Sequence, residues 1–183
     1  MQIEAHWLGD VGIFRSENYD ERPDCPIDTI VIHNISLPPG QFGGKYIDDL
    51  FTNCLDPQVH EFFVDICDLK VSSHLLIDRQ GAVTQYVGFD KRAWHAGVSS
   101  YKGRERFNDF SIGIELEGTD WLAYDARQYD RLAEITLALQ ARYPLITTDN
   151  IVGHSTIAPG RKTDPGPAFD WRRFLGLLDS KTK

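Results

Sequence analysis

From Ser111 to Glu117 the chain reads Ser-Ile-Gly-Ile-Glu-Leu-Glu, and this stretch limits the possible folds more than any other. Side chains alternate across a strand, so Ile112, Ile114 and Leu116 face one side while Gly113, Glu115 and Glu117 face the other. A strand of this kind belongs near the centre of a sheet, with its apolar face on a core. Two carboxylates on the opposite face need solvent, a metal or a catalytic task. A wet face would meet that need with no function attached. Beside a metal-activated water, a buried carboxylate is a general base. Period alone gives Glu115 and Glu117 the same face and does not choose between them.

Thr29-Ile30-Val31-Ile32 is a second informative run, bounded by Pro26 and by His33-Asn34, and it predicts a buried strand. His33 falls at its end, where open α/β sheets gather functional groups. A short strand predicted at Ile151-Val152 leads into a loop, 153–167, that carries His154, Lys162 and Asp164 among three prolines. Proline fixes its own φ and biases the preceding residue, here Asp164, toward extended backbone. A long loop held this stiffly is more often a site than a connection. Neutral imidazole and carboxylate are good zinc ligands, and catalytic zinc takes three protein ligands plus an open position. His154 and Asp164 supply two, and His33 is the candidate third. Taken singly, His33 reads as a satisfied structural histidine, and the loop as a capping aspartate with a solvated lysine. His74 and His95, isolated among apolar neighbours, are assigned core or wall positions.

Asp125 to Tyr143 predicts the longest helix. Tyr129, Leu132, Thr136, Leu139 and Tyr143 recur at helical spacing, with Asp125 as N-cap and Pro144 as the stop. Tyr46 to Asn53 predicts a short helix and His60 to Asp65 a further turn. Asp170 caps a terminal helix through Trp171, Phe174 and Leu178. Val71 to Asp78 and Ala82 to Val87 predict two strands joined by an Asp78-Arg79-Gln80-Gly81 turn. Residues up to Asp24 read as irregular. The glycines between Ser36 and Gly44 serve either as hinges of a lid or as plain turns.

The length of 183 residues fits one domain, 1–183, with a full core. With 27 acidic and 19 basic residues, the net charge of −8 argues against nucleic acid or an anionic membrane as partner. Cys25, Cys54 and Cys67 are an odd number without metal-ligand spacing, which suits a reducing compartment. Met1 to Phe14 holds no apolar run of signal-peptide length, and no stretch reaches the length of a membrane span. A cytoplasmic protein is expected.

Several stretches together resemble one family. Ile32-His33-Asn34-Ile35-Ser36-Leu37-Pro38-Pro39-Gly40, Trp94-His95-Ala96-Gly97, Ile112 through Gly118, and Gly153-His154 through Lys162-Thr163-Asp164-Pro165-Gly166 are similar to motifs of the zinc-dependent N-acetylmuramoyl-L-alanine amidases. These share a fold with phage lysozyme-amidases and peptidoglycan recognition proteins. The resemblance spans nearly the whole chain. It is nearest to the members that remove the stem peptide from 1,6-anhydro-N-acetylmuramyl peptides during cell-wall recycling in the bacterial cytoplasm. It implies an α+β fold, a single domain with a central mixed β-sheet flanked by helices. It also implies one Zn²⁺ per chain on His33, His154 and Asp164, with Glu115 and Lys162 catalytic. Asn34, Trp94, Arg106, Ala158 and Arg161 stand where the family holds sugar and peptide. The expected partner is an anhydro-muropeptide substrate, and the expected state is a monomer.

In that reading Glu115 takes a proton from the attacking water and passes it to the leaving nitrogen. Lys162 faces the oxyanion that develops on the carbonyl. Two other readings compete. A peptidoglycan-fragment sensor on the same fold could dispense with the third ligand or with Glu115, and this chain keeps both. A zinc peptidase cutting within the stem peptide could use the same groups, and its products would separate it.

Overall fold

The computed structural model describes residues 1–181. Its strands, in chain order, are β1 (Ile3–Glu4), β2 (Trp7–Leu8), β3 (Gly12–Ile13), β4 (Tyr19–Glu21), β5 (Thr29–Ile35), β6 (Leu75–Ile77), β7 (Val83–Gln85), β8 (Lys91–Ala93), β9 (Ser100–Tyr101), β10 (Arg104–Glu105), β11 (Ser111–Glu117) and β12 (Ile151–Gly153). The helices are α1 (Tyr46–Phe51), α2 (Glu61–Val64), α3 (Ala126–Arg142), α4 (His154–Ile157) and α5 (Trp171–Lys181). Six strands form the main sheet in the order β12-β5-β11-β6-β7-β3. It is mixed: β11 runs parallel to β5 and β6, whereas β6 and β7 are antiparallel.

The alternation in β11 sorts the two faces as predicted. Ile112, Ile114 and Leu116 join Ile30 and Ile32 of β5 in a core that α3 and α5 cover with Leu132, Leu139, Phe174 and Leu178. Each large aliphatic side chain buried there contributes roughly 1.5–3 kcal/mol relative to exposure. Helix α3 starts where its capping box sets it. The Asp125 carboxylate accepts from the Arg127 backbone N–H, and Gln128 Oε1 accepts from the Asp125 N–H. The other face meets α1, whose Ile47, Leu50 and Phe51 pack with Leu76, Tyr86 and Val87. That face is not wet. Every residue of β11 is buried, Glu115 and Glu117 included, because loops and α1 cover what alternation alone leaves open.

Three expectations need correction. The first 24 residues are not irregular but contribute four short strands, β3 to the edge of the main sheet and β4 beside β8. Two- and three-residue strands are too short to leave a periodic signal. Strand β5 runs on past His33 to Ile35, since its parallel ladder with β11 continues through Glu117↔Ile35. Conversely, β6 and β7 are shorter than predicted. Their pairing persists only in isolated bonds, such as Tyr86 N–H to the His74 carbonyl at 2.9 Å. The turn between them is as expected, with Gly81 at φ +81 and Asp78 Oδ1 accepting from the N–H groups of Gln80 and Ala82.

Candidate metal centre and active-site cleft

Strand register builds the site. On β5 and β11 His33 lies directly opposite Glu115, so both side chains leave the same face of the sheet. Beside them β12 ends at Gly153, and the chain turns at once into the single helical turn α4, which starts with His154. The predicted loop therefore opens with a helical turn. Its return limb is tied down by the Ser155 N–H to the Asp164 carbonyl at 2.8 Å and by Tyr124 OH to the Pro165 carbonyl at 2.8 Å. Gly166 is required here. It sits at φ +78, and a Cβ on it would fall 2.2 Å from Asp120 Cα.

These elements bring three metal-ligating atoms together. His33 Nδ1 lies 2.9 Å from His154 Nδ1 and 3.1 Å from Asp164 Oδ2, and His154 Nδ1 lies 3.0 Å from the same oxygen. His154 donates its Nε2–H to the Ala96 carbonyl at 3.0 Å, so its Nδ1 presents a lone pair. Burial pushes His33 down to about 4, with the adjacent Asp164 opposing the shift and His154 adding to it. The ring is therefore neutral at neutral pH. A lone pair and a carboxylate oxygen at 3.0 Å repel unless a positive centre lies between them. One divalent cation satisfies all three atoms, and two imidazoles plus a carboxylate are a zinc donor set. The residues fit the ion that the motifs imply.

Glu115 lies alongside, buried, with Oε2 lacking a hydrogen-bond partner. Burial raises its pKa well above the usual carboxylate range, the Asp164 charge adds to that, and Lys162 works against it. Glu117 is differently employed. Its two carboxylate oxygens accept from the backbone N–H groups of Gly43 and Arg79, so it ties down the glycine loop. The two glutamates that sequence period could not separate are thus distinguished by what they meet.

A cleft of about 390 Å³ opens onto the cluster. His33, Glu115, His154, Lys162 and Asp164 line it, with Asn34, Leu37, Phe62 and Trp94 on its walls. Asn34 is held by its Nδ2–H to Asp120 Oδ1 at 2.9 Å. A second hollow of about 420 Å³, between Trp7, Arg15, Glu17 and Tyr86, holds none of these groups. Ala158 and Arg161 line a separate depression with Val98, and the Arg161 guanidinium is engaged by the Ala96 and Val98 carbonyls. Arg106 is exposed, in left-handed backbone at φ +60, and pairs with Asp109 at 3.2 Å. Sequence reasoning missed the contacts of His95 and the Ala96 carbonyl behind the two candidate ligands. The signal for the first was Gly113, a residue without a side chain on a polar face. A Cβ there would lie 2.5 Å from His95 Cγ.

The sheet and the cluster define a class: an α+β fold with a candidate metal centre on one face of its parallel strands. The family described as N-acetylmuramoyl-L-alanine amidase matches residues 23–167, and the chain belongs to it. It is 60% identical over 183 residues, 100% of each chain, to the 1,6-anhydro-N-acetylmuramyl-L-alanine amidase AmpD of Escherichia coli. It is 52% identical over 177 residues to the AmpD of Haemophilus influenzae, covering 96% of each. A crystal structure of a selenomethionine AmpD derivative aligns with a TM-score of 0.95 at 59% identity, covering 97% of this chain and 99% of that one. The structure of the Escherichia coli amidase AmiD in complex with its substrate anhydro-N-acetylmuramic acid-L-Ala-D-gamma-Glu-L-Lys aligns with a TM-score of 0.61. That match has 30% identity and covers 86% of this chain and 60% of that one.

Proposed function

We propose that this chain is a zinc-dependent amidase of peptidoglycan recycling. It hydrolyses the amide between the lactyl group of 1,6-anhydro-N-acetylmuramic acid and the L-alanine of the stem peptide. What supports this above all is the meeting of His33, His154 and Asp164 within 3.1 Å beside Glu115, whose buried Oε2 has no hydrogen-bond partner. Identity to AmpD proteins over the full chain supplies the bond that is cut. His33 Nδ1, His154 Nδ1 and Asp164 Oδ2 would hold one Zn²⁺, which supplies a nucleophilic water at neutral pH and a Lewis acid for the carbonyl.

Glu115 would take a proton from the water that attacks the lactyl carbonyl carbon. The raised pKa suits the task, since it makes the carboxylate a stronger base that can take a proton and then return it. As the C–N bond breaks, Glu115 returns the proton to the leaving nitrogen, giving a lactyl carboxylate and a free peptide amine. Lys162 lines the same cleft and offers its ammonium to the oxyanion. Asn34 and Trp94 hold substrate from the cleft walls, and Arg106, Ala158 and Arg161 from farther along the surface.

Mass spectrometry of the products from a defined anhydro-muropeptide tests the bond assignment. The expected products are the anhydro-sugar acid and the intact stem peptide. A shortened peptide still attached to the sugar would instead indicate a peptidase.

We further assign the protein to the cytoplasm, as a monomer. Its three cysteines are free thiols, as a reducing compartment leaves them. No helix among the described residues is long and apolar enough to cross a membrane. A stable disulfide in the isolated protein, or a dimer on size-exclusion chromatography, would contradict this assignment.

A further inference from the structure

His33 turns its second ring nitrogen, Nε2, to His95 Nδ1 at 2.9 Å, and the two rings stand edge to face with centroids 5.0 Å apart. A contact between two neutral ring nitrogens holds one proton. Which ring carries it decides whether His33 offers the metal side a lone pair or an N–H. The next link settles the direction. His95 Nε2 lies 3.3 Å from Ser111 Oγ, while Ser111 Oγ is much closer, 2.5 Å, to the Phe107 carbonyl oxygen. A carbonyl oxygen only accepts, so the Ser111 hydroxyl donates to Phe107 and accepts from the His95 Nε2–H. His95 Nδ1 is then a lone pair and accepts from the His33 Nε2–H. That leaves His33 Nδ1 bare toward His154 Nδ1 and Asp164 Oδ2.

We propose that Ser111 and His95 are positioning residues that fix the tautomer of His33, so that its Nδ1 is presented to the metal. The opposite polarity would put a proton on His33 Nδ1, in the place where the cation belongs. The fold fixes His95 for this purpose. Gly113 leaves room for its ring against β11. Asn108 Oδ1 accepts from the backbone N–H groups of His95 and Ala96 at 3.1 and 2.7 Å, pinning the segment from behind. Because the Ala96 carbonyl fixes His154, two consecutive residues set the tautomers of both candidate histidine ligands. Partners behind a ligand of this kind orient the ring and raise its basicity.

This inference rests on the metal reading above, and the test separates the two. Long-range ¹H–¹⁵N NMR spectra of the metal-free wild-type protein report the tautomer directly. His33 is expected as the Nε2–H form, and an Nδ1–H form would overturn the proposal. Chelator-competition titrations with Zn²⁺ then compare wild type, Ser111→Ala, His95→Leu and His95→Asn. His95→Leu should bind zinc roughly 10- to 100-fold more weakly and Ser111→Ala should lose less. His95→Asn should recover part of the loss, since its Oδ1 can accept where Nδ1 did. Wild-type affinity in both Ser111→Ala and His95→Leu would overturn the proposal and leave the metal reading standing. Absence of zinc binding by wild type would overturn the metal reading itself, and the proposal with it. If His95→Leu does not fold, Ser111→Ala and the wild-type spectrum still decide.

Discussion

Glu115→Gln is expected to retain zinc and fold while losing roughly 10²- to 10⁴-fold in turnover, the usual range for removing a general acid–base group. The amide is nearly isosteric but cannot accept the water's proton. A second consequence concerns stability. Burial raises the folded-state pKa of Glu115, so folding takes up a proton there. The stability this contributes is full below the unfolded carboxylate pKa and is lost as pH rises through the raised value. Above the unfolded carboxylate pKa the metal-free wild type therefore carries a burial cost at this ionisable carboxyl that Glu115→Gln does not. The variant should melt higher than wild type without metal at neutral pH, and the gap should close on acidification. Glu117→Gln should show the reverse pattern. Its amide can still accept one of the two N–H bonds from Gly43 and Arg79 but opposes the other, costing about 1–3 kcal/mol. Turnover should fall only modestly. Kinetics and thermal melts of both variants, with zinc measured in each, would expose a wrong assignment if Glu117→Gln lost the greater turnover.

Lys162→Met should lower kcat roughly 10²- to 10³-fold with zinc content and KM little changed, by analogy with deletion of one oxyanion donor. An ammonium beside a divalent cation is unfavourable at rest and becomes favourable only when negative charge develops between them. A surface lysine would behave otherwise, with effects of a few tenths of a kcal/mol. Arginine should not rescue fully, because a planar fork does not replace a compact ammonium. The pH profile adds a signature. Lys162 lowers the pKa of Glu115, so its removal lets that pKa rise, and the acid limb of kcat should move to higher pH. A near-normal kcat for Lys162→Met with full zinc would remove the residue from the mechanism.

The elements with sustained period were legible in the sequence. Strand β11 and helix α3 stand where Ser111 to Glu117 and Asp125 to Tyr143 put them, because each carries a full apolar face and α3 its own cap. The convergence of His33, His154 and Asp164 was also visible, since parallel neighbouring strands carry the residues that follow them to the same end of a sheet. Alternation names the face of a side chain but not what covers it. For that reason the burial of Glu117 under Gly43, and the place of His95 against Gly113, could be learned only from the folded chain. The N-terminal strands escaped notice because two residues hold no period, and their pairing depends on the partner strand.

The most direct test is the zinc content of the purified protein and of His33→Ala, His154→Ala and Asp164→Ala, measured beside cleavage of an anhydro-muropeptide. Three ligand atoms sharing one ion predict one zinc per wild-type chain. Each substitution should then lose both metal and hydrolysis, and chelation of the wild type should abolish activity. Full zinc occupancy in any of the three variants, or undiminished hydrolysis by metal-free wild type, would contradict the account.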